Sequence, residues 1–366
     1  GSINATGLFT WADGRFEFVG GLLTGSVAVR NGSLDVAATA GDSTIICAGN
    51  ATLLANRAPG VTVWVEGGLY NHATLTTAGG AVNAGTLRLE SINGAFTSVV
   101  NIGGSNFVNT ATGVIDANTG NGGQRSISGN FINQGLVDAT GGYLDLYGAY
   151  EAAGGRIEGA GRLRSANVRV TASPIAPTLL DLWGTTALLT DNLANTVLWV
   201  HGGGDSHATL TTSGNVTNHG TLRLESTGGS YWETIAIGGL LVNAPDGTIQ
   251  VNAGSSGGRE LNGNIVNQGA INIASGISLY CNGANKVFRQ EAGSINATNL
   301  FTWADGRFDF VGGFLTGSVA VRNGSLDVGA TAGASTLIAA GNSTLLANRA
   351  TNVTVWVEGG LYGDAT

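Results

Sequence analysis

Residues 1–70 recur almost word for word at 293–362, and this near-copy constrains the fold more than any other feature of the chain. GSINATGLFTWADGRFEFVGG returns as GSINATNLFTWADGRFDFVGG, and VTVWVEGGLY (61–70) returns unchanged at 353–362. A more diverged copy lies between them, where VTVWVEGGLYNHATLTTAGGAVNAGTLRLES (61–91) matches VLWVHGGGDSHATLTTSGNVTNHGTLRLES (197–226). Self-similarity on this scale is the mark of an array of structural units. In an array, function comes from length, surface and multiplicity rather than from one constellation of reactive groups.

A shorter beat runs inside the long repeats. Asn83, Asn109 and Asn133 each precede a Gly and then a stretch of alternating apolar residues, as do Asn218, Asn243 and Asn267 in the next copy. The intervals are 26 and 24 residues, then 25 and 24. After each Gly the apolar residues fall at every second position, as Leu87 and Leu89 do with Arg88 and Glu90 between. Period 2 is the signature of a strand with one buried face, and no helical i, i+3, i+4, i+7 pattern is sustained. One strand with its turns is too short to fill such an interval, but two or three short strands fill it. The beat therefore predicts one full coil of a parallel β-helix, with coils stacked at about 4.8 Å. The six recurrent Asn residues are expected at one corner of successive coils, where Asn tolerates a left-handed backbone and its amide bonds the Asn above and below.

Copy lengths give an independent argument. Ile3 to Trp64 and Ile295 to Trp356 both span 61 residues, whereas Ile157 to Trp199 spans 42. The middle copy is shorter by about one coil, a deletion that leaves every remaining side chain facing as before. The expected fold is all-β, a parallel β-helix (β-solenoid) of about 16 coils, roughly 75–80 Å long. It divides into copy 1 (residues 1–140), copy 2 (141–274) and the start of copy 3 (275–366), in one continuous rod read as part of a longer array. Pro174 and Pro177 mark a protruding loop or a coil defect at the junction between copies, since proline cannot donate to a ladder.

Composition excludes several classes. A compact core stops growing near 250–300 residues, below the 366 here, but a solenoid escapes that limit. Gly at 61 residues without a three-residue period rules out collagen, and 43 % hydrophobic residues rule out disorder. Net charge is −8 and Lys286 is the only lysine, so no basic stripe awaits a nucleic acid or an anionic lipid surface. No run of 18 apolar residues suggests membrane insertion. The two cysteines, Cys47 and Cys281, have no cysteine counterpart in the other copies and read as small buried hydrophobes.

Few residues suggest chemistry. Trp11, Asp13 and Arg15, repeated as Trp303, Asp305 and Arg307, could stack on a sugar ring and bond its hydroxyls; the competing reading is an Asp-Gly turn with a local ion pair. His201, Asp205 and His207 hold metal-ligand types within seven residues, but the other copies do not repeat the set, and no metal site or cofactor is expected. The acids Glu90, Asp116, Asp138 and Glu158 fall one per coil, not in the pairs that glycoside hydrolysis needs, so no catalytic residues are expected.

The stretches NFINQGLVDATGGYLDLYGAYEAAGGRIEGAGRL (130–163) and NATNLFTWADGRFDFVGGFLTGSVAV (296–321) resemble the repeats of giant bacterial surface proteins, the filamentous-haemagglutinin-like adhesins and autotransporter passengers. The resemblance implies secretion to the cell surface, the right-handed hand of the β-helix, and a role in adhesion or extracellular scaffolding. It supplies no catalytic residues. The expected partners are other copies of the chain, through end-to-end or lateral filament contacts, with a surface polysaccharide as the alternative.

Overall fold

The computed structural model describes residues 1–204 and 206–359. The chain is a parallel β-solenoid of about 18 turns, with no helix among the described residues. It divides into two compact units, Gly1–Leu180 and Asp181–Thr366.

In the first unit, strand Val61–Gly67 buries Val61, Val63 and Val65 and turns Thr62 and Trp64 outward. Strand Thr86–Ser91 lies parallel to it, with Leu87 beside Val63, and strand Val114–Asn118 continues the stack with Ile115 beside Leu87. Val137 and Ile157 extend the same column. The second unit repeats the device, with Leu198, Leu222, Ile249, Ile271, Ile295 and Leu315 stacked in register. Each such side chain contributes about 1.5–3 kcal/mol on burial. Because the side-chain period is two, a slip of one residue would turn a whole column to solvent.

The turn count exceeds the expected 16 because coils differ in length. Ser2 pairs with Leu22 and Arg15 with Ser33, which makes short coils, whereas Asn83 pairs with Asn109 across a longer one. Such short coils recur outside the near-identical copies, as where Ser126 pairs with Asp145 and Leu136 with Arg156, but the two copies also share their irregularities. Ser33 and Leu34 pair with Thr52 and Leu53, and the register then slips so that Asp35 meets Ala55. Ser325 and Leu326 pair with Thr344 and Leu345, and the register slips again so that Asp327 meets Ala347.

Tight corners use left-handed residues. Gly25 and Gly317 have φ of +77° and +76°, and a Cβ on either would lie within 2 Å of the Ala5 or Ala297 carbonyl oxygen on the preceding coil. Asp13 and Asp305, at φ 58° and 62°, form the Asp-Gly turns. Asn31 and Asn323 are also left-handed, and their side-chain oxygens accept the Asn50 and Asn342 amides at 3.1 and 3.0 Å. The six recurrent Asn residues differ from expectation on this point, since none has a positive φ. Each is the last residue of an extended strand, with its side chain turned into the core.

Residues 173–177 leave strand geometry, and Ile175 within them is fully exposed. Cys47 and Cys281 are buried and unbridged, and burial pushes the Cys47 thiol up to about 12.

Candidate functional site

The longest polar constellation is an internal spine of side-chain amides. In the first unit Asn56 Nδ2 donates to Asn83 Oδ1 at 3.1 Å, Asn83 to Asn109 at 2.9 Å and Asn109 to Asn133 at 2.9 Å, and Asn133 donates to the Tyr150 hydroxyl at 3.3 Å. In the second unit Asn192 donates to Asn218, Asn218 to Asn243 and Asn243 to Asn267, each at 2.7 Å, and Asn267 donates to Gln290 Oε1 at 2.8 Å. All eight Asn side chains and Gln290 are fully buried. The same Nδ2 groups reach corner carbonyls, Asn83 bonding Gly85 O and Asn109 bonding Gly113 O. An amide that turns inward at the end of each strand thus satisfies the backbone of the corner that follows.

The Gly after each Asn has a steric reason. A Cβ on Gly85 would lie 2.3 Å from Val61 O and 2.8 Å from Asn56 Nδ2, and one on Gly220 would lie 2.8 Å from Asn192 Nδ2. The next turn closes over the amide of the coil below, and only Gly leaves room. Asn56, Asn192 and Gln290 belong to the spine although sequence reasoning omitted them. The signal was available, since they sit 27, 26 and 23 residues from their ladder neighbours. Every Nδ2 donates toward the next coil, so the first acceptor of each ladder, Asn56 Oδ1 and Asn192 Oδ1, is buried without a hydrogen-bond partner.

The two Trp-Ala-Asp-Gly-Arg turns do not form equivalent surfaces. Trp303 is 0 % exposed, packed beneath strand Ser278–Asn282 with Phe288 at 5.5 Å, so no sugar can stack on it. Trp11 is 42 % exposed, because among the described residues no earlier strand covers it in this way. Arg15 pairs with Glu17 at 2.8 Å and Asp35 at 2.9 Å, and Arg307 with Asp309 at 2.6 Å and Asp327 at 3.2 Å. These are the ion-paired Asp-Gly turns of the simpler reading. Asp305 and Arg307 therefore serve the corner, and the expected glycan contact at Trp303 is corrected.

The histidines part company. His201 is buried, its Nδ1 at 2.7 Å from Asp181 and its Nε2 at 2.5 Å from the Thr227 hydroxyl, with its ring stacked on Trp199 at 3.8 Å. His207 Nδ1 accepts the Trp232 amide at 2.8 Å, as His72 Nδ1 accepts the Thr97 amide at 3.1 Å in the first unit. Asp205 lies outside the described residues. Among the described residues no three His, Cys, Asp or Glu side chains converge as metal ligands would.

The scattered acids do align in part. Asp116, Asp138 and Glu158 stack in register on the outer face of the first unit beyond Arg88, and burial raises the Asp116 carboxyl. In the second unit the corresponding column reads Arg223, Gln250, Asn272, Asn296 and Thr316. A buried pair there was not foreseen: Glu233 and Arg259 meet at 2.5 Å with both side chains fully enclosed. Their first-unit counterparts are Ser98 and Arg125, whose guanidinium instead donates to the carbonyls of Tyr143 and Thr119. Burial pushes the Glu233 carboxyl up to about 7 against the pull of Arg259.

No family model, curated protein or solved structure matches this chain.

Asn109→Ala removes one acceptor of the Asn83 amide and the donor to both Asn133 Oδ1 and Gly113 O, and is expected to lower the unfolding free energy by about 2–4 kcal/mol in urea titration. A change below about 0.5 kcal/mol would remove the spine from the stability account. Glu233 has a folded-state value above the unfolded one, so the native state holds the extra proton between pH 4.5 and about 7. The stability it contributes is complete below pH 4.5 and declines as the pH rises toward 7, by about 1–3 kcal/mol. Glu233→Gln is expected to flatten that slope in denaturant midpoints measured across the range; an unchanged slope would assign it to other groups.

Proposed function

We propose that this chain is a non-enzymatic structural segment of an extracellular fibre, surface adhesin or scaffold, acting through repetitive solenoid stacking and through end-to-end association of copies. The observation that carries the reading is modular folding. Residues 1–56 and 293–348 adopt the same coils with the same pairings and the same register slip, in two different settings. A module that folds identically wherever it is inserted extends an array without redesign.

The surface chemistry suits this role. The charge is acidic and sparse, 11 % of residues, and Lys and Arg together number only 16 in 366 residues, which limits the sites open to trypsin-like proteases. Leu53 and Val65 are buried beneath strands Ala73–Thr77 and Thr86–Ser91 of the coils that follow. Each coil of this repeat thus presents apolar side chains that the coil after it covers. The resemblance of the repeats to bacterial surface adhesins supports placement outside the cell. Polysaccharide cleavage is disfavoured by the acid column of the first unit, which the second unit replaces with amides.

Negative-stain microscopy of the purified chain tests the proposal. Unbranched fibres a few nanometres wide, lengthening with protein concentration, are expected; isolated particles at every concentration would overturn end-to-end association.

A further inference from the structure

The second unit carries a surface feature that the first lacks at the same place in the coil. Trp232 is 46 % exposed at the rim of a groove of about 560 Å³, lined also by Gly258, Glu260, Ser278, Tyr280 and Asn299. We propose that this groove binds a neutral linear oligosaccharide or a segment of polysaccharide. The inference stands on the groove alone and does not depend on fibre formation.

The platform is fixed before any ligand arrives. The Trp232 amide donates to His207 Nδ1 at 2.8 Å, and its carbonyl accepts the Ala208 amide at 2.9 Å. Its ring lies against Gly258, where a Cβ would come within 2.6 Å of ring carbon. An aromatic face held in this way loses little conformational entropy on binding. Tyr280 lies on the rung after Glu260, which itself follows Thr234. Trp232 and Tyr280 are therefore two rungs and two strand positions apart, about 12 Å, the reach of a short oligosaccharide rather than a single sugar.

The two copies act as an internal control. Thr97 occupies the position of Trp232, with the same bonds from its backbone to His72 and Ala73. Gln124 occupies that of Gly258, since the Ser98 amide bonds Gln124 O as the Glu233 amide bonds Gly258 O. Ser126 and Asp145 stand where Glu260 and Tyr280 do. The solenoid thus forms without the aromatic pair, so packing does not require it. The exchanges are also complementary, because the indole occupies the space that a side chain at 258 would need.

Chemistry selects the ligand class. The exposed indole offers a flat face to the C–H side of a pyranose ring, and polar groups line the rest of the groove for its hydroxyls. Glu260 accepts from Thr234 and Asn262 at 3.3 Å each, and Asn299 Nδ2 donates to Ser278 Oγ at 3.1 Å. Arg259, the one cationic group lining the groove among the described residues, has its guanidinium enclosed against Glu233, so a sulfated or phosphorylated ligand finds no counter-charge.

Calorimetry with cello-, xylo-, manno- and chitohexaose, run on the full chain, is the test. At least one hexaose is expected to bind. Trp232→Thr combined with Gly258→Gln, which installs the first-copy pair, is expected to weaken that binding at least tenfold without changing the circular dichroism spectrum. Trp11→Ala, at another exposed tryptophan, is expected to bind as the parent does. Absence of binding to all four sugars, or undiminished affinity in the double variant, would overturn the proposal. Should the double variant misfold, Trp232→Ala is read by the same criterion.

Discussion

A buried side-chain amide must find partners for its N–H groups and its oxygen, and this requirement fixes the corners of the solenoid. Burying one unpaired amide costs about 1–3 kcal/mol, so a column of them is tolerated only when each meets the next. Asn83, Asn109 and Asn133 meet because their strands end on the same rung position, and Asn218, Asn243 and Asn267 do likewise. A register slip on one coil would break two links at once. The apolar columns supply most of the driving force, but they accept Val, Leu or Ile interchangeably. The amides are the more discriminating element, because hydrogen bonds are directional.

Much of this was legible in the sequence. Period 2 in TLRLES placed Leu87 and Leu89 inside, and the near-constant intervals between the Asn residues placed them one coil apart. What escaped were properties that belong to neighbouring coils. Trp11 and Trp303 share their local sequence, yet one is open and the other enclosed, because burial is decided by strand Ser278–Asn282. Glu233 and Arg259 lie a whole coil apart along the chain and look unrelated until the strands stack them. Four of the left-handed corners fall to Asp13, Asn31 and their copies, which precede Gly directly, whereas the spine residues end extended strands.

Divergence between copies separates scaffold from specialisation. Positions that keep their role, such as His72 with His207 and Asn109 with Asn243, hold backbone or spine. Positions that change character sit on the outer rungs or in isolated core pockets: Glu66 against His201, Ser98 against Glu233, Thr97 against Trp232. A solenoid tolerates such change because each rung contacts only its neighbours, so a surface can be rewritten locally while the frame persists.

The spine is tested most directly by the exchange of its own protons. With asparagine labelled selectively, the side-chain amide protons of Asn83, Asn109, Asn218 and Asn243 are expected to exchange with solvent orders of magnitude more slowly than those of an exposed residue such as Asn299. Exchange of these amides at the rate of Asn299 would mean that the ladder is not formed and that something else sets the register of the coils.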